Sequence, residues 1–187
     1  MGCPDSVRHK RELYASFVAG RADASEDDSQ TIRMDLPRTF HDVVWVRNAE
    51  DRIAKLLTEY AAVHRADGYL QGFNYTMTLL LFVFKDCPDA DADTWWCFSR
   101  IVGLIRPLMP DFNVAWFDWY RRHWLGEFHQ RLAKHCPRLE MILSQESETF
   151  SALITVKWFM IWFAQTVPFD DLLVLWDFLI ERPPSQL

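Results

Sequence analysis

Residues 48–85 read NAEDRIAKLLTEYAAVHRADGYLQGFNYTMTLLLFVFK, and this stretch decides the fold class. In its first half Ile53, Leu56, Leu57, Tyr60 and Ala61 recur at the three- and four-residue steps of one helix face. Asn48 sits where an N-cap belongs, and Glu50 and Asp51 follow in the first turn, where the helix dipole favours anions. The pattern predicts a helix ending near Asp67-Gly68. A second helix is expected from about Asn74; it is apolar on nearly every side, so it belongs at the centre of the molecule. Between the two lies Gly68-Tyr69-Leu70-Gln71-Gly72-Phe73-Asn74, with two glycines bracketing a glutamine. Gly68 and Gly72 suit a tight turn and close approach of another backbone, and Asn74 suits a cap for the helix that follows.

Outward from this pair the periodicity stays helical. Arg8 to Val18 carries Leu13, Phe17 and Val18 on one side. The stretch 20–31, GRADASEDDSQT, is small, polar and acidic and reads as an exposed, mobile connection. Pro37 interrupts any helix through 32–40. Asp89 to Thr94 supplies an acidic start for a helix bearing Phe98, Ile101, Val102 and Ile105, which Pro107 and Pro110 stop. Phe117, Tyr120, Trp124 and Phe128 mark another helix, and Leu139, Ile142 and Leu143 the next. ALITVKWFMIWFAQ (152–165) and DLLVLWDFLI (171–180) are the last, separated by Pro168. Strand alternation is weak throughout, which makes the chain all-α.

Composition excludes several functions. Of 187 residues half are hydrophobic and 15% aromatic, enough for a packed core and too many for a disordered chain. A net charge of −6 without a basic stripe argues against nucleic acid as a partner. Cys3, Cys87, Cys97 and Cys136 are scattered and read as reduced cytosolic thiols rather than a disulfide framework. His123, His129 and His135 are spaced by six, off a common helical face, so no metal site is expected. Phosphate loops of the Gly-x-x-x-x-Gly-Lys type and Gly-x-Ser-x-Gly elbows do not occur.

Asp35 and Arg38, three residues apart, form a candidate site that gains weight only from company. Alone they fit a surface ion pair worth little. Three elements, however, stand in order: Ile32-Arg33-Met34-Asp35-Leu36-Pro37-Arg38-Thr39-Phe40, then Tyr69-Leu70-Gln71-Gly72-Phe73-Asn74, then the stretch from Trp158-Phe159 through Pro168 to Trp176-Asp177. They resemble the three signature motifs of the TBC domain, the family of GTPase-activating proteins for Rab GTPases, and the likeness runs from about residue 8 to the end. Leu173-Val174-Leu175 depart from the basic residue that usually precedes the Trp-Asp pair.

The resemblance implies an all-helical TBC-type fold and a partner, a Rab-type small GTPase. It implies that the chain is no enzyme in its own right but an activator of GTP hydrolysis in vesicle trafficking. Arg38 matches the arginine finger and Gln71 the glutamine that orients the attacking water. Asp35, Tyr69, Gly72 and Asn74 would support them. GTP and Mg2+ would belong to the bound GTPase, and no cofactor of the chain's own is implied. The alternative is a non-catalytic module of the same fold that binds a Rab or another partner. The chain stops ten residues after Asp177, so the family's C-terminal helices are expected to be missing and an apolar surface exposed around Leu173, Trp176 and Leu179. The domain is thus set at 8–187, after a tail at 1–7.

That tail, Met1-Gly2-Cys3-Pro4-Asp5-Ser6, fits an N-myristoylation pattern on Gly2 with a palmitoylation site at Cys3 beside it. Two acyl chains anchor stably where one anchors marginally. A cytoplasmic protein held peripherally on endomembranes is the expectation.

Overall fold

The computed structural model describes residues 5–19, 23–105, 118 and 120–181. Gly2 and Cys3 lie outside the described residues, as do Pro107, Pro110 and Phe117. Among the described residues every regular element is helical, and no helix is long and apolar enough to cross a membrane. The chain divides into two compact units, residues 1–103 with 167–187, and residues 104–166.

The first unit contains α1 (Asp5–Val18), α2 (Glu26–Asp35), a 3-10 turn (Leu36–Arg38), α3 (Val44–Asn48), α4 (Glu50–Val63), α5 (Phe73–Phe84) and α6 (Ala90–Ile105). It also contains the final helix, α10 (Phe169–Glu181). Helix α5 is its axis: every residue from Asn74 to Leu81 is buried, as an all-round apolar helix requires. The periodic face of α4 is wholly buried through Ile53, Leu56, Leu57, Tyr60 and Ala61. Aromatic rings join α4, α5 and α6: Tyr60 meets Phe98 edge-on at 4.8 Å, and Phe73 meets Phe98 at 5.2 Å. Helix α1 is fastened by polar contacts. Arg11 Nε donates to Asp93 at 2.7 Å, Tyr14 to Glu59 at 2.6 Å, and Trp96 Nε1 to the Lys10 carbonyl at 2.7 Å.

Several sequence expectations are corrected here. The segment 20–31 is not wholly a connection, because α2 begins at Glu26. Ser25 caps it: its Oγ accepts from Asp28 N at 3.0 Å, and Glu26, Asp27 and Asp28 occupy the first turn. The apolar period is nearly silent there because Ile32 is the one buried hydrophobic residue of α2. Asn48 does not cap α4; it ends the short α3, and Ala49 takes the cap position without a side-chain bond. Helix α4 stops at Val63, earlier than Asp67, and α5 starts at Phe73 behind Gly72. In α10 the buried face is Phe169, Leu172 and Trp176, with Leu173 and Leu179 half-buried. The exposed apolar face is instead Val174, Phe178 and Ile180.

The second unit contains a π-type turn (Arg121–Leu125) leading into α7 (Gly126–His135), then α8 (Pro137–Leu143) and α9 (Glu148–Ile161). Its core is Tyr120, Leu125, Ala152 and Val156, with Trp124 and Phe128 against it. Helix α9 ends at Ile161 rather than running to Gln165. Trp162 and Phe163 take φ of 47° and 66°, a left-handed conformation that breaks the helix and that bulky residues rarely adopt. His129 Nδ1 lies 2.8 Å from Glu140 and ties α7 to α8.

Candidate functional site

The site lies where the end of α2 meets the α4–α5 loop. Pro37 cannot continue the ladder of α2, so the chain tightens into the Leu36–Arg38 turn directly after Asp35. Arg38 is thereby turned outward, and its side chain is 63% exposed. Its Nη2 reaches back 2.6 Å to Asp35 Oδ1, while Asp35 itself is 3% exposed. An exposed guanidinium is thus held from behind by a buried carboxylate. The arrangement fixes one nitrogen of the guanidinium and leaves the side chain mostly facing solvent.

Asp35 has a second partner. The Tyr69 hydroxyl lies 2.9 Å from Asp35 Oδ2 and 3.1 Å from Asn74 Oδ1. One hydroxyl carries one proton, and the nearer, charged acceptor takes the larger share of it. Burial pushes the Tyr69 hydroxyl far above the ordinary tyrosine range, and the Asp35 charge and hydrogen bond push it further. It is therefore a fixed donor at physiological pH.

Asn74 ties the two loops a second time. Its Nδ2 donates to Thr39 Oγ1 at 2.6 Å, and Thr39 Oγ1 donates to the Asp35 carbonyl at 2.8 Å. Its Oδ1 also accepts from Gly72 N at 3.1 Å. Asn74 is thus no N-cap of α5, a position that Gly72 occupies with φ of 105°. It is a buried bridge between the Arg38 turn and the Gln71 loop. Gly68 and Gly72 both have positive φ, which a glycine adopts without strain. Gln71 stands exposed between them.

Phe40 closes the Arg38 turn and is held in a left-handed conformation, φ 43°, although it is buried and aromatic. Such a conformation costs on the order of 1–3 kcal/mol and persists where packing over-determines it. Here the packing comes from Tyr75 at 5.1 Å and Phe169 at 5.0 Å, both edge-on, and Phe169 in turn meets Phe82 at 5.0 Å. The start of α10 therefore backs the arginine turn.

All of Arg38, Asp35, Tyr69, Gly72 and Asn74 converge on one network, with Gln71 on its outer rim. Thr39 and Phe40 close the first motif, but the reading of the sequence assigned neither a role, because a threonine and a phenylalanine in an apolar-rich chain give no signal of their own.

This geometry defines an all-helical protein that presents an arginine and a glutamine from two cross-braced loops. A model of the Rab-GTPase-TBC domain matches residues 10–186, and the chain belongs to that family, whose members generally act as Rab GTPase-activating proteins. It is 27% identical to growth hormone-regulated TBC protein 6 of Caenorhabditis elegans over 96% of this chain and 53% of that protein. It is 28% identical to TBC1 domain family member 2A of Rattus norvegicus over 92% of this chain and 18% of that protein. It is 26% identical to growth hormone-regulated TBC protein 1-A of Danio rerio over 95% of this chain and 48% of that protein. The chain thus spans about half the length of the growth hormone-regulated relatives.

Proposed function

We propose that the chain accelerates GTP hydrolysis on a Rab-type small GTPase by supplying Arg38 and Gln71 in trans. The observation that carries this reading is the exposed Arg38 guanidinium braced by a buried Asp35, which also braces the tyrosine of the Gln71 loop. Hydrolysis builds charge on the phosphate oxygens, and a preorganised guanidinium stabilises it without reorganising at the moment of reaction. An arginine supplied in trans contributes about 10³–10⁵ in rate. Gln71, two residues beyond the clamped Tyr69, orients the attacking water. The nucleotide and its Mg2+ arrive with the GTPase. Exposed Met34 and Val44 flank Arg38 in sequence and offer apolar contact to the same partner. Acylation at Gly2 and Cys3 would hold the chain on the membrane where lipid-anchored Rab proteins work.

The test is phosphate release from a panel of GTP-loaded Rab proteins with and without this chain. Stimulation of at least one member is expected. Binding without stimulation would instead support the non-catalytic module.

A further inference from the structure

The acidic start of α2 does more than cap a helix. Ser25 Oγ accepts from Asp28 N at 3.0 Å and donates to Asp28 Oδ2 at 2.6 Å, so the Asp28 carboxylate is held by its own helix start. Its other oxygen, Oδ1, accepts from Tyr69 N at 2.8 Å across 41 residues of sequence. Gly68 is shaped to this carboxylate: a Cβ there would fall 2.8 Å from Asp28 Oδ1 and 3.1 Å from Oδ2. Its φ of 59° also favours glycine. Tyr69 is therefore gripped at both ends, by Asp28 at its backbone and by Asp35 at its hydroxyl. Both acids belong to α2, seven residues apart, on one face and about 10.5 Å apart along the axis.

We propose that Asp28 is a positioning residue for Gln71, and that α2 acts as a rigid spacer fixing the Gln71 loop relative to Arg38. The N-terminal turn of α2 holds the backbone two residues before Gln71, and its C-terminal end holds Arg38. A loop released from Asp28 still binds the GTPase but spends less time with Gln71 aligned on the attacking water. The loss falls on kcat rather than on KM. This inference rests on the function proposed above, and it has a readout independent of that function.

The experiment uses the full chain as Asp28→Ala, Asp28→Asn, Ser25→Ala and Gly68→Ala. Two quantities are read: exchange of the Tyr69 amide by NMR, and stimulated hydrolysis on a GTP-loaded Rab selected from the panel. Asp28→Ala is expected to speed Tyr69 exchange and lower kcat each by about tenfold, the equivalent of one charge-assisted hydrogen bond, with KM within about twofold. Asp28→Asn retains an oxygen for the same N–H and should stay within about threefold of the unaltered chain. Gly68→Ala should resemble Asp28→Ala, and the double variant should lose less than the sum because the alanine methyl then has room. Ser25→Ala, which unsteadies Oδ2 and removes the cap of α2, should fall between and serves if Asp28→Ala does not fold. Unchanged Tyr69 exchange in Asp28→Ala overturns the proposal. So does an equal loss of kcat in Asp28→Ala and Asp28→Asn. If the unaltered chain stimulates no Rab, the proposed function fails by itself. Faster Tyr69 exchange in Asp28→Ala but not Asp28→Asn then still upholds the tether, and its absence overturns it.

Discussion

Among the described residues, two buried hydrogen-bond systems differ in what they connect. Around Asp35 a charge and three neutral side chains, those of Tyr69, Thr39 and Asn74, join segments 34 and 35 residues apart. The system opens to solvent at Arg38, and Gln71 is exposed on the loop that carries Tyr69. In residues 120–161 the Tyr120 hydroxyl donates to Thr155 Oγ1 at 2.8 Å, which donates to the Ser151 carbonyl of its own helix. Those two bonds join neutral groups and end on a backbone carbonyl. A buried charge is expensive to keep and rarely adds stability over an apolar substitute. Its presence in the first system, aimed at an exposed arginine, is what the function proposed above accounts for, whereas the second needs no explanation beyond packing.

The comparison breaks most sharply at Arg38. Arg38→Ala should lower stimulated hydrolysis by at least about 10²-fold, with Gln71→Ala also strongly impaired. Stability should fall by only about 1–2 kcal/mol, because Asp35 keeps the Tyr69 bond and Arg38 is mostly in water. A Rab whose own glutamine is replaced by alanine should still be stimulated by the unaltered chain. Complete loss on that Rab would leave an arginine-only mechanism. An unchanged rate for Arg38→Ala would reduce the Asp35–Arg38 pair to a structural one.

Asn74→Ala is next. It takes a donor from Thr39 Oγ1 and strands the Gly72 amide and part of the Tyr69 hydroxyl's bonding in a buried place, so denaturant unfolding should show a loss of about 2–4 kcal/mol. Asn74→Asp keeps the two acceptor bonds but sets a second carboxylate beside Asp35, and should be no better. A loss under about 0.5 kcal/mol would mean that water replaces the bridge.

How much of this was legible in the sequence follows the same division. Periodicity reported the helices that bury a continuous apolar face, such as α4 and α5, because burial is what it measures. It was blind to α2, whose face toward the protein carries Asp28, Ile32 and Asp35. A helix held by a cap and two carboxylates looks like a polar linker. The Ser25-x-x-Asp28 spacing was the available signal, a short relative of the capping box. The positions of Arg38, Gln71 and Asn74 came from motif order, but the bridging by Thr39 and Asn74 depends on side chains meeting across 35 residues, which no local pattern encodes. The left-handed Phe40 likewise follows from tertiary packing over-ruling local preference.

A smaller effect separates the two tyrosines by pH. Burial pushes Tyr120 up to about 12, against the lowering influence of its Thr155 bond, and pushes Tyr69 higher still. Both are raised above the unfolded value of 10.0, so the stability they contribute is fully present below pH 10 and is lost as pH rises through their folded values. Tyr120→Phe should cost about 1 kcal/mol at pH 7 and unfold less steeply between pH 10 and about 12 than the unaltered chain. Tyr69→Phe should cost more at pH 7, about 1–3 kcal/mol, because it takes a donor from a buried carboxylate. Equal costs at pH 7 would erase the distinction between the neutral and the charged system.

The smallest effects belong to the exposed apolar side chains of both regions, Met141 and Ile142 on α8, Val174 and Phe178 on α10. Each has a buried neighbour for contrast: Leu143 is 8% exposed beside Ile142, and Leu172 is fully buried near Val174, which is 72% exposed. Replacing Leu172 by alanine should cost about 2–5 kcal/mol through lost burial and an unfilled cavity. It should also weaken hydrolysis, since Phe169 on the same face props Phe40 behind Arg38. Ile142→Ser or Val174→Ser removes surface already in water and should change stability by no more than about 0.5 kcal/mol in dilute protein. If those positions are covered by a second copy of the chain, the serine variants will sediment as smaller species than the unaltered protein. Their melting temperature will also lose any dependence on concentration. A large, concentration-independent loss of stability in Val174→Ser would place that face inside the fold. The outer side of α10 would then serve the site as much as its inner side does.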